Sequence, residues 1–139
     1  MNSTDFIKNA IDPVQWLRKS VELRRSANAL WDAFFEQMLI WSRKLRDGTP
    51  EDESASDEVY GYLTSAKMLY GLSLETALKA HLLKNSPDTV QLKMSADGTG
   101  QVTEVEIKQF GVSLGSGHNL EQLAQRAGVF ERTVDPLFN

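Results

Sequence analysis

The run from Met68 to Leu83, MLYGLSLETALKAHLL, is apolar nearly all round and yet carries Glu75, Lys79 and His81. A helix with so little polar face has to be covered on several sides, and charges taken inside with it need partners. This predicts a central helix with others packed around it. With 139 residues, 41% of them hydrophobic, the chain has material for one core and not for two, so a single domain is expected.

The flanking sequence supplies those neighbours. Asp12 before Pro13, with Gln15 at the third helical position, reads as an N-cap, a proline at the first position and a capping-box-like return contact. Val14, Leu17, Val21, Trp31, Phe35, Met38 and Leu45 then recur at helical spacing, and a second line through Trp16, Leu23, Ala27, Leu30, Phe34 and Trp41 widens the apolar face. No Gly or Pro interrupts before Gly48, so one helix of about 50 Å is expected from about Pro13 to Arg46, with room for a bend near Ser26 to Asn28. Residues 47–58 carry six acids and no base among Gly, Pro and Ser, the composition of a solvated, mobile loop. Ser56 or Asp57 would then cap the central helix, which runs to about Lys84 and stops at Asn85-Ser86-Pro87.

Beyond it, Thr89 to Met94 and Gln101 to Ile107 alternate apolar and polar with period two around Ala96-Asp97-Gly98-Thr99-Gly100, which predicts a β-hairpin. Its Val90, Leu92, Met94, Val102, Val105 and Ile107 need helices or a second subunit to lean on. Phe110 to Gly117 reads as a loop, followed by a short helix with Asn119 as N-cap, Gln122 at its third position and Gly128 as its stop. The expected fold is mainly α, an up-and-down helical bundle with a small inserted β-hairpin at about 89–107. The apolar residues of 129–139 lack a stop signal, so the chain is expected to be a fragment as readily as a whole.

Composition excludes more than it assigns. Absence of cysteine removes disulfides, thiolate nucleophiles and thiolate metal sites together. No run approaches the roughly 20 apolar residues that span a bilayer, and the N-terminus lacks a basic flank and an apolar signal region, so a cytoplasmic protein without membrane contact is expected. Net charge is −4, but it is unevenly placed, at +3 over residues 1–46, −6 over 47–58 and −1 beyond. No serine nucleophile elbow, phosphate-binding Gly-Lys loop, dinucleotide fingerprint or zinc spacing occurs, so no cofactor and no metal are expected.

The stretch Tyr70-Gly71-Leu72-Ser73-Leu74-Glu75-Thr76-Ala77-Leu78-Lys79-Ala80, followed later by Gly117-His118-Asn119-Leu120 opening a helix, resembles the HEPN-like proteins of prokaryotes. The resemblance covers roughly Pro13 to Gly128, with its specific part in those two motifs. It implies a four- or five-helix up-and-down bundle that dimerises. In many members it also implies a ribonuclease of toxin, antiphage or stress systems, with an Arg and a downstream His from two subunits forming a metal-independent site. This chain departs from that pattern where it matters, because neither His81 nor His118 has an Arg four to six positions before it. The bundle and the dimer are implied; ribonuclease activity is not carried by any matched residue.

The candidate chemistry therefore rests on other groups. Glu75 and Lys79, four apart with the acid first, suit a local ion pair, extended by His118 or an Arg of the first long helix. The functional alternative is a general acid or base tuned by burial. His81 near a helix C-terminus favours a packing or capping role. Gly115, Ser116, Gly117, His118 and Asn119 precede a helix N-terminus whose free N–H groups suit a phosphate. Arg18, Lys19, Arg24 and Arg25, and Arg43, Lys44 and Arg46, form two basic groups that could track a nucleic-acid backbone, although Glu22, Asp32 and Glu36 interleave with them as on a solvated face. The Trp31, Phe34, Phe35, Met38 and Trp41 cluster is wide enough for a homodimer interface. The leading expectation is a HEPN-like module, non-catalytic or divergent, that dimerises and binds a protein or RNA partner in a stress or defence setting. The alternatives are a ribonuclease whose composite site uses Glu75, Lys79, His81 or His118, and a small-ligand or nucleotide-binding bundle.

Overall fold

The computed structural model describes residues 3–49, 53–110 and 118–129. Its elements are the helices α1 (Ser3–Ile11), α2 (Pro13–Arg46) and α3 (Glu53–Asn85), a 3-10 turn (Pro87–Thr89), strands β1 (Val90–Ala96) and β2 (Val102–Phe110), and helix α4 (Leu120–Arg126). The fold is mainly α with one small antiparallel hairpin inserted before the last helix. No described helix is long and apolar enough to cross a membrane.

Local chemistry places the ends of α2. Asp12 Oδ1 accepts from the Val14 N–H at 2.9 Å, while the Asp12 carbonyl accepts from Gln15 and Trp16. Gln15 does not close a capping box; its Oε1 accepts from Arg18 Nη1 at 3.4 Å. The helix continues without interruption for 34 residues, about 51 Å. It ends in a Schellman motif, with Gly48 at φ 70°, its N–H on Leu45 O at 3.2 Å and the Thr49 N–H on Lys44 O at 3.0 Å. Only glycine adopts that left-handed conformation without a Cβ penalty.

Two expectations about the neighbouring segments are corrected. The acidic stretch 47–58 is not a loop throughout, because α3 already begins at Glu53. Its acids stand in the first turns, where the positive end of the helix dipole favours them, and Tyr62 Oη donates to Glu58 Oε1 at 3.1 Å one turn on. Phe110 is not the start of a loop but the last residue of β2, and it is buried.

The hairpin pairs Val90 with Phe110, Leu92 with Ile107 and Met94 with Val105, with irregularities between Gln91 and Leu92 and between Ser95 and Ala96. Asp97 organises its turn: Oδ1 accepts from the Thr99 N–H, the Thr99 hydroxyl and the Gln101 N–H at 2.8, 2.6 and 3.0 Å. Val90 and Leu92 are half-buried, but Met94, expected on the same covered face, is exposed. β2 rests on α1, a helix the sequence reading did not anticipate.

The chain divides into two compact units, Val21–Ser73 and the remainder. The remainder holds the hydrophobic core: Leu78, Leu82 and Leu83 of α3, Phe110 of β2, Leu123 of α4 and Ala127 at its C-cap, with Trp16, Val90, Leu120 and Ala124 packed against them. The Val21–Ser73 unit is a helical hairpin whose fully buried apolar residues, among those described, are only Ala27, Val59 and Ala66. The expected burial of the Met68–Leu83 run is therefore split. Leu78, Ala80, Leu82 and Leu83 are buried, whereas Met68, Leu72 and Leu74 remain exposed.

Candidate functional site

The spacing of Glu75 and Lys79 puts both on one face of α3, one turn apart, inside the core-bearing unit. Lys79 Nζ meets Glu75 Oε1 at 2.5 Å, with both side chains about nine-tenths buried. The ammonium also stands 5.0 Å over the Phe110 ring. Phe110 packs edge-on against Trp16, at 5.3 Å and 75°, and the Trp16 indole donates to the Ala10 carbonyl at 2.8 Å. The charged pair is thus covered by the Phe110 ring and tied through Phe110 and Trp16 to α1.

His118 completes the group from the residue before the cap of α4. Its Nδ1 lies 2.9 Å from the same Glu75 Oε1, although its side chain is 85% exposed. The Lys79 ammonium and His118 Nδ1 converge on the same Glu75 oxygen, which accepts from both, so Nδ1 carries the proton and donates it. In the neutral ring the Nε2 lone pair is then left for solvent. One carboxylate oxygen therefore joins a buried cation to an exposed imidazole.

His81 is held in the opposite sense. Asn85 Nδ2 donates to the His81 carbonyl at 3.0 Å and lies 3.2 Å from His81 Nδ1. An amide nitrogen only donates, so Nδ1 accepts and the proton of the neutral ring sits on Nε2. Among the described residues the two histidines share no partner: Asn85 holds His81 and Glu75 holds His118.

One donor of the expected phosphate site is already taken. Asn119 caps α4 with its own side chain, Oδ1 accepting from the Gln122 N–H at 3.1 Å, and α4 has only seven residues. Gly115, Ser116 and Gly117 lie outside the described residues. At the far end Gly128, at φ 68°, closes the helix and donates to Gln125 O at 3.0 Å.

The basic residues do not gather into one patch. Arg18, Lys19, Arg24 and Arg25 are exposed on the first half of α2, and Arg43, Lys44 and Arg46 on its last turn, where cations complement the dipole. Arg25 and Arg43 are about 27 Å apart along the axis, with Asp32 and Glu36 between them. Among the described residues no three His, Asp or Glu groups are placed to hold a metal ion.

In the Val21–Ser73 hairpin the aromatic cluster is continuous. Trp31 contacts Phe34 and Phe35 at 5.5 Å each and Tyr70 at 6.5 Å, and Tyr70 Oη donates to Asn28 Oδ1 at 2.7 Å. Below it Phe34, Met38, Trp41, Ser56, Val59, Tyr60 and Leu63 line an open apolar pocket of about 120 Å³. The Trp41 indole N–H is buried with no partner among the described residues. Leu39, Met68 and Tyr60 expose half or more of their surface on this unit. The sequence reading located the aromatics but missed this pocket, whose α3 side is built by Val59, Tyr60 and Leu63 at ordinary core spacing.

Compared with known protein families, curated proteins and solved structures, the chain matches none of them.

Proposed function

We propose that this is a HEPN-like helical module that pairs with a second copy through its helical hairpin and binds a protein or nucleic-acid partner in a stress or defence setting. The observation that carries the reading is the thin core of the Val21–Ser73 unit: its largest residues, from Trp31 to Trp41, all stay partly open, and among the described residues only Ala27, Val59 and Ala66 are buried apolar residues. Two helices expose an apolar stripe each and complete a core only against another layer. A second hairpin of the same kind would make four helices. The pocket beside Trp41 also fits this reading, since about 120 Å³ is well below the roughly 300 Å³ of a small-molecule site and suits one inserted side chain.

The test is light scattering on the purified chain beside Phe35→Glu, Leu39→Glu, with circular dichroism to confirm that the helices persist. A dimer mass that falls to one chain in the variant supports the reading. A monomeric wild type sinks it.

A second reading, a divergent metal-independent ribonuclease, is favoured by one observation, the hydrogen bond from His118 to the buried Glu75. A carboxylate-oriented imidazole is the usual form of a general base. Incubation with mixed structured and single-stranded RNA in EDTA, beside His118→Ala, tests it: cleavage by the wild type alone would support a nuclease, and intact RNA would remove it.

A further inference from the structure

The two histidines form an internal comparison. Each ring is held through Nδ1, yet in the neutral form Glu75 accepts from His118 whereas Asn85 donates to His81. His118 therefore turns a nitrogen lone pair to solvent, and His81 turns an N–H. His118 is also 85% exposed, while the carboxylate behind it is about nine-tenths buried and already balanced by Lys79. This combination, an open nucleophilic nitrogen over a fixed buried anion, is more than capping requires, since Asn119 provides the helix cap.

Exposure decides what such a ring is for. A base that works inside its own enzyme needs walls that exclude water and position the substrate. An imidazole open to solvent is better suited to be reached by another protein's catalytic groups. We propose that His118 Nε2 is a phosphoryl-acceptor site, modified by a phosphoramidate or acyl-phosphate donor that a partner protein carries.

The step balances without an added reagent. The Nε2 lone pair forms the N–P bond, and the bond from phosphorus to the leaving group breaks, the leaving group departing with its electron pair. The ring becomes an imidazolium that keeps its Nδ1 proton, and that proton already points at Glu75 Oε1. Glu75 acts as a positioning residue: it fixes the tautomer and meets the charge that develops on the ring. Lys79 meets the same carboxylate oxygen and holds it in place. The proposal does not depend on the dimer, and it uses the same imidazole as the ribonuclease reading, so one experiment has to separate them.

The experiment is incubation of the full chain with potassium phosphoramidate, followed by phosphorus NMR and mass spectrometry of the modified peptide, beside Glu75→Gln and His118→Ala. The expected result is phosphohistidine on Nε2 of His118, little at His81, and a rate about tenfold lower in Glu75→Gln, the order of one charge-assisted hydrogen bond. Labelling on Nδ1, equal labelling of both histidines, or an unchanged rate in Glu75→Gln overturns the proposal, because exposure alone would then explain the reaction. RNA cleavage by a chain that takes up no phosphoryl group overturns it in favour of the nuclease. Should Glu75→Gln fail to fold, long-range nitrogen–proton NMR of the wild type decides: a proton on Nδ1 of His118 and on Nε2 of His81 is required, and any other pattern overturns the assignment.

Discussion

Removing the Glu75 carboxylate would leave the Lys79 ammonium buried against the Phe110 ring with no anion. A buried charge stripped of its partner is among the costliest single changes, so Glu75→Ala should lose about 3 kcal/mol in urea unfolding. The double variant Glu75→Leu, Lys79→Met should recover most of that, because it removes both charges while keeping the volume. His118→Ala should cost no more than about 0.5 kcal/mol, since its ring is in water. A large loss there instead would make His118 a structural tether. The Glu75–Lys79 pair was legible in the sequence from its spacing, and His118 was named among its possible partners. The choice of His118 over an Arg, and the Phe110–Trp16 contact, were not, because they join residues 43 and 94 positions apart and no local pattern encodes such contacts. The opposite tautomers of the two histidines were equally hidden, for they follow from which atom each partner presents.

At the scale of elements, the boundaries that side chains or glycines fix were readable, and those fixed by distant packing were not. Asp12, Gly48, Asn119 and Gly128 stand at their expected ends because each satisfies a helix terminus by itself. Asn119→Ala should accordingly cost about 1 kcal/mol, read as a lower urea midpoint. Helix α1 escaped notice because nine residues make a marginal helix alone; its contact with β2 and the Trp16 bond to Ala10 supply what propensity does not. The acidic start of α3 was misread as loop because like charges were weighed and their placement in a first turn was not. The hairpin turn adds a prediction with a sign. The Thr99 hydroxyl, then the Thr99 and Gln101 N–H groups, hold the Asp97 carboxyl below its usual value of 3.8. A depressed folded pKa contributes stability that is present above the unfolded value and is lost as pH falls through the folded one. The Thr99 and Gln101 amide resonances should therefore stay at their neutral-pH positions at pH 4 and move only below it. A transition above the ordinary carboxylate value would show that the turn does not hold Asp97 in this way.

For the whole molecule, what has to be explained is why one unit has a core of large residues while the other, among the described residues, buries only Ala27, Val59 and Ala66 of its apolar side chains. Leu78, Leu82, Phe110 and Leu123 converge from three elements, whereas the Val21–Ser73 hairpin has two helices and leaves Phe35, Leu39, Tyr60 and Met68 uncovered. Gly61 and Gly71 lie in the middle of α3, in ordinary helical conformation, and a Cβ added at either meets nothing within 4 Å. Glycine inside a helix costs about 0.5–1 kcal/mol relative to alanine, so nothing among the described residues accounts for either glycine. If the copies meet through the α2 aromatics, as proposed, that face of α3 stays open. Gly61→Ala and Gly71→Ala should then each raise stability by about 0.4–1 kcal/mol, seen as a higher urea midpoint at unchanged dimer mass. A loss of stability that appears only at concentrations where the dimer forms would place the interface on α3 instead, with the glycines admitting the close approach of a second backbone. The sign of these two substitutions thus reads out which helix the second copy covers, independently of the charge introduced at Phe35 and Leu39.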